Sequence, residues 1–243
     1  MTIPHALLGS TALLVLGLLA VWSAVVIMPR SDNTVQDELM APWTNGTTPR
    51  RIVAFGTSLT DGNDWPDRLA ENLTVCFAHP VEVLRVAKPG AGSTWGLEAV
   101  FQVIALSPDV VLMEFAINDA DLRDGVGLSQ SAEQHIEIAS DLQAALPDAQ
   151  IVLMTTSPAF GLRRWARPRL PEYYDQVIVV AQTTGVAVMD FYPRWRENDL
   201  REAFADGLHP NDSATSQIMD SVLLDGFARA TGRECGLVLG ESD

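Results

Sequence analysis

From Arg51 onward the chain alternates short, mainly apolar runs with amphipathic stretches, and this alternation restricts the accessible folds more than any other feature. RIVAF (51–55), VEVLRVA (81–87), DVVLMEFAI (109–117), QIVLMTT (150–156) and VAVMD (186–190) read as strands. WPDRLAENL (65–73), STWGLEAVFQVIAL (93–106), SAEQHIEIASDLQAAL (131–146) and PEYYDQVIVVAQTT (171–184) read as helices, the last stopping at Gly185. NDSATSQIMDSVLLDGFARAT (211–231) reads as one closing helix capped near Asn211. Strands that alternate with helices pair in parallel through right-handed crossovers. Strands that are apolar throughout, rather than at every second residue, belong to a sheet covered on both faces. Such sheets bind ligands beyond the carboxyl ends of their strands, so chemistry is to be sought just after each apolar run.

Four segments stand there. Ser58 follows the first run, in RIVAFGTSLTDG (51–62). KPGAGS (88–93) follows the second, IND (117–119) ends the third, and DGLHPN (206–211) precedes the closing helix. A serine hydroxyl is a poor nucleophile until a base takes its proton, and histidine is the usual base near neutral pH. His5 precedes a long apolar N-terminal stretch, His79 precedes a proline, and His135 falls in mid-helix. His209 has a carboxylate three residues before it in a glycine-containing turn that Pro210 stiffens. Asp206 is placed to accept Nδ1–H and leave Nε2 facing Ser58. The N–H of Ser58, the N–H of Gly90 and the amide of Asn118 are the candidate oxyanion donors. Each piece alone has an ordinary reading as a turn or cap residue. Their joint occurrence at strand ends, in this order, favours catalysis.

The blocks GTSLT (56–60), KPGAGS (88–93), AIND (116–119) and DGLH (206–209) resemble those of the SGNH, or GDSL-type, hydrolase superfamily over roughly residues 51–230. The resemblance implies a three-layer α/β/α sandwich around a parallel, flavodoxin-like five-stranded sheet. It implies Ser58 as nucleophile, His209 as base, Asp206 as its partner, and Gly90 and Asn118 as completing the oxyanion hole with Ser58. This sequence departs from the pattern in three places: Thr57 replaces the usual aspartate, Ala116 the usual glycine, and Arg85 stands where an asparagine often begins the second block.

Net charge is −15, with 31 acidic against 16 basic residues, so the surface repels phosphate backbones and nucleic-acid binding is excluded. No cofactor is implied, and NDAD (118–121) lacks the further ligands a metal needs. Cys76 and Cys235 read as two idle thiols, or as one disulfide if the domain is exported. Arg163, Arg164, Arg167 and Arg169 crowd around Trp165 in GLRRWARPR (161–169). Such a segment is either a solvated basic loop paired with surface acids or a rim for an anionic group, a sugar or a lipid headgroup. Arg163, Arg164 and Trp165 are the substrate-binding candidates.

Residues 6–28 carry no charge and as a helix reach about 34 Å, enough to cross a bilayer core. The expected organisation is an N-terminal membrane anchor (1–30), a linker (31–50) and an SGNH hydrolase-like domain (51–243). Arg30 favours a cytoplasmic domain. The tether, the two cysteines and the cell-surface habit of the resembled family favour the extracytoplasmic side, which is the expectation. The leading reading is a membrane-anchored serine esterase acting on small O-acyl esters, of the acetyl type, on carbohydrate or small molecules. The alternatives are an O-acyltransferase with the same triad and a non-catalytic binding module on the same fold.

Overall fold

The computed structural model describes residues 48–237. The anchor, the 6–28 span and most of the linker lie outside them. Among the described residues no helix is long and apolar enough to cross a membrane.

Five parallel strands form one sheet in the order β2-β1-β3-β4-β5. They are β1 (Arg51–Gly56), β2 (Glu82–Ala87), β3 (Val110–Met113), β4 (Gln150–Thr155) and β5 (Ala187–Asp190). Alternate residues of each strand enter opposite cores. Val53, Phe55, Val111, Met113, Leu153 and Val188 pack under helices α3 (Ser93–Ala105), α5 (Leu128–Ala145) and α7 (Leu170–Thr184). Ile52, Ala54, Val110, Leu112, Met154 and Met189 pack under α2 (Trp65–Phe77) and α10 (Ser221–Thr231). The result is the three-layer α/β/α sandwich with the flavodoxin-like strand order. Burial on both faces is why the strands read as continuous apolar runs.

Shorter elements sit between these: α1 (Ser58–Asp61), α4 (Ala116–Asp119), α6 (Gly161–Trp165), α8 (Tyr192–Glu197) and α9 (Asp212–Thr215). Two of them correct the sequence reading. The third apolar run does not continue as a strand to Ile117: its pairing with β1 ends at Met113, opposite Phe55. The N–H of Glu114 donates to Phe55 O at 3.0 Å and the ladder stops there. Residues 116–119 then form α4, which turns Asn118 and Asp119 back over the sheet edge. The closing segment is likewise not one α-helix: α9 is joined to α10 by a π-turn over Ser216–Asp220. Within that turn Asp220 is buried and binds Arg68 of α2 at 2.7 Å.

The chain runs from β1 to its neighbour on one side and then to β3 on the other. The crevice where this reversal occurs lies between the carboxyl ends of β1 and β3. Ser58 follows β1 and Asn118 follows β3, so the topology places both at that crevice.

Candidate active site

Ser58 is the first residue of α1, directly beyond the carboxyl end of β1. Its N–H therefore has no acceptor within the helix and is available to a ligand. Thr57 caps α1, its hydroxyl accepting from the N–H of Leu59. What holds this turn is Glu114, fully buried behind it. The Glu114 carboxylate accepts the Thr57 N–H at 2.7 Å, the Thr57 hydroxyl at 2.9 Å and the Thr60 hydroxyl at 2.8 Å. Burial pushes its carboxyl up to about 7, against the downward pull of those three donors. A Cβ at Gly56 would overlap this carboxylate, which is why a glycine ends β1. The aspartate absent at residue 57 is thus answered by a carboxylate just beyond the end of the neighbouring strand.

Asp206 and His209 occupy one tight turn. Asp206 Oδ1 accepts the backbone N–H groups of Leu208 and His209 at 2.9 and 2.8 Å. Asp206 Oδ2 takes the His209 Nδ1–H at 2.8 Å, leaving the Nε2 lone pair to accept the Ser58 hydroxyl at 2.8 Å. Partial burial opposes ionisation of Asp206, but the two backbone N–H groups and the His209 ring outweigh it and hold its carboxyl below the usual range. Gly207 has φ of 79°, and a Cβ there would run into the Phe160 carbonyl. Only glycine closes this turn while Phe160 N–H bonds the Gly207 carbonyl.

Ser58, Gly90, Asn118 and His209 line one cavity of about 330 Å³. Gly90 turns the backbone there with φ of 76°. Gly92 lines the same cavity, and its lack of a Cβ admits Asp119, which accepts the Ser93 N–H at 2.7 Å and the Ser131 hydroxyl at 2.6 Å. Asp121 binds Arg123 and Arg167. The acids of NDAD are therefore committed to capping and ion pairing.

The arginine segment divides. Arg163 lines the Ser58 cavity and stands 3.5 Å from Asp206 Oδ2. Arg164 instead lines an adjoining cavity of about 470 Å³ with Arg196 and Arg201. Trp165 lines neither and is 81% exposed. Arg169 pairs with Glu172 on the surface. Arg167 is buried, contrary to a wholly solvated loop. Arg85 is structural, binding Asp67 at 2.6 Å and the carbonyls of Thr60 and Asn63. Sequence reasoning gave no role to Glu114 or to Asp121. A charged residue inside an apolar run was the available signal for Glu114. Nothing local distinguishes Arg167 from its exposed neighbours.

The family model for the GDSL-like lipase/acylhydrolase family matches residues 54–214. No curated protein matches the chain. Among solved structures, a lipase/acylhydrolase from Enterococcus faecalis is similar with a TM-score of 0.66 and 22% identity, over 79% of this chain and 100% of that one. An acetylxylan esterase from Geobacillus stearothermophilus, solved as a catalytic mutant, is similar with a TM-score of 0.63 and 18% identity. That match covers 77% of this chain and 96% of the esterase. At these identities the two structures speak for the fold.

Proposed function

The chain belongs to the GDSL-like lipase/acylhydrolase family and is a serine hydrolase acting on ester bonds; from this premise we propose that Ser58 is its nucleophile, His209 its general base and Asp206 the orienter of His209. The observation that carries the reading is the unbroken chain from Ser58 Oγ through His209 to Asp206, each link 2.8 Å long. As Oγ attacks the ester carbonyl, its proton passes to Nε2, and Asp206 stabilises the imidazolium. The N–H groups of Ser58 and Gly90 and the Asn118 amide receive the charge on the carbonyl oxygen. Nε2–H then protonates the departing alcohol, leaving an acyl-serine. His209 next takes a proton from water, which attacks the acyl carbonyl, and returns it to Ser58 as the acid leaves. Asp206 and His209 are exposed, so bulk water reaches the acyl-enzyme, which favours hydrolysis over transfer.

The substrate class is a small O-acyl ester, of the acetyl type, carried on carbohydrate. A modest cavity of about 330 Å³ suits a short acyl group, and the structural likeness to an acetylxylan esterase agrees with an acetyl ester on carbohydrate. Of the three substrate-binding candidates, Arg163 stands at the cavity and forms its alcohol-side rim. The domain is held at a membrane by residues 6–28 and works outside the cytoplasm, a compartment suited to the disulfide between Cys76 and Cys235.

Labelling with a serine-reactive fluorophosphonate, followed by peptide mapping, tests the assignment. Ser58 is expected to carry the label, and Ser58→Ala to lose both label and turnover of a chromogenic acetate while its melting transition persists. Equal labelling of wild type and variant would refute it.

A further inference from the structure

We infer that Arg167 is a positioning residue that fixes the Asn118 amide in the one orientation able to serve an oxyanion; the inference rests on the assignment of Asn118 to the oxyanion hole. Arg167 follows the short helix α6, far in sequence from α4, yet it is only 4% exposed. Its Nε donates to the Ile117 carbonyl at 2.7 Å, and its Nη2 donates to Asn118 Oδ1 at 3.2 Å. The same Nη2 lies 2.8 Å from Asp121 Oδ2, which ties the guanidinium to the segment just after α4. On its other side, Asn118 Nδ2 donates to the Ala91 carbonyl at 2.9 Å.

A carboxamide offers one acceptor oxygen and two N–H donors. Here the oxygen is occupied by a cation and one N–H by a carbonyl. The flipped amide would set its N–H groups against the guanidinium and its oxygen against the Ala91 carbonyl, losing both bonds and gaining two repulsions. One orientation survives, and its second N–H is the donor left for the cavity that Ser58 and His209 also line. A cation on Oδ1 also polarises the amide and strengthens that N–H as a donor.

The burial of Arg167 is otherwise hard to account for. Its Nη1 is buried without a hydrogen-bond partner among the described residues, a costly state for a charged group. Asp121 already has Arg123 at 2.6 Å, so charge balance at Asp121 does not require Arg167. Its bonds to the Ile117 carbonyl and to Asn118 Oδ1 do require the planar fork of an arginine, since a lysine reaches one of them or the other.

The test is a double-mutant cycle on the full chain with a chromogenic acetate, using Arg167→Met, Asn118→Ala and the pair. Arg167→Met is expected to lower kcat about 10- to 50-fold, less than the loss of the donor itself, with KM within about twofold. In the Asn118→Ala background the same change is expected to lower kcat by no more than about twofold. Arg167→Lys, run through the same cycle, replaces Arg167→Met if thermal melts show that the latter does not fold. A full second loss in the Asn118→Ala background, or a rise in KM with kcat unchanged, would overturn the inference and make Arg167 a substrate contact. A silent Asn118→Ala would instead remove Asn118 from the oxyanion hole, and the inference with it.

Discussion

Glu114 shows how a single side chain sets conditions for its neighbours. It is buried under the turn that presents Ser58, and three donors converge on it, two of them from Thr57. Because burial raises its folded pKa to about 7 from the ordinary carboxyl value, the folded state binds a proton that the unfolded state has lost between about pH 4.5 and 7. Stability associated with Glu114 is therefore complete below the unfolded pKa and declines as pH rises through about 7, by on the order of 3 kcal/mol in all. Urea unfolding of wild type and Glu114→Gln from pH 5 to 9 is expected to show this slope only in wild type; parallel curves would mean that Glu114 titrates normally. Thr57→Asp, which restores the family's usual residue, is expected to destabilise by about 2 kcal/mol or more at pH 8, because two buried carboxylates then face each other. Adding Glu114→Gln should recover part of that loss. If His209 is the base proposed above, His209→Ala should lower kcat/KM by about 10³-fold or more, since members of such a triad act as a unit. Activity within tenfold of wild type would require another base.

At the level of elements, function depends on where strands stop. β1 ends in Gly56, β3 ends one residue before Glu114, and the helices that follow, α1 and α4, are only one turn long. Short helices at these points turn Ser58 and Asn118 toward each other without covering the crevice. Helix α2 runs back from this edge to the amino-terminal edge of the sheet, where Cys76 in its last turn is bonded to Cys235 in the segment after α10. The bridge closes a long loop, so Cys76→Ser with Cys235→Ser is expected to cost about 2–5 kcal/mol in denaturant unfolding. Because the bridge lies at the edge opposite Ser58, kcat/KM of the folded double variant should stay within about twofold of wild type. A large activity loss at full folding would mean that the tail after α10 reaches the site.

For the whole molecule, the open question is where the domain works. Removing residues 1 to about 30 is expected to release it from the membrane fraction with its esterase activity intact. In sealed cells or spheroplasts, added protease should digest the domain without lysis. Digestion only after lysis would place it in the cytoplasm, as Arg30 by itself suggests, and would make extracellular glycan an unlikely substrate. Against the chain's net charge of −15, the local excess of arginine around α6 stands apart.

The order of strands and helices, burial of the sheet on both faces and the four strand-end blocks could be read from the sequence, because each is written in local periodicity or in a short run of neighbours. The meeting of Ser58, His209 and Asp206 at one edge of the sheet was legible for the same reason: strand ends are predictable, and a base needs a carboxylate close by in the chain. The sequence did not reveal where β3 stops, since the apolar run continues to Ile117 while its pairing with β1, more than fifty residues away, ends at Met113. Nor did it reveal that Glu114 answers Thr57, that the arginines around Trp165 divide between exposed and buried positions, or that Arg167 grips Asn118. Those are contacts between residues about fifty positions apart. Nothing in either local pattern encodes them, and only the closing of the sheet and the docking of α6 bring the groups within bonding distance.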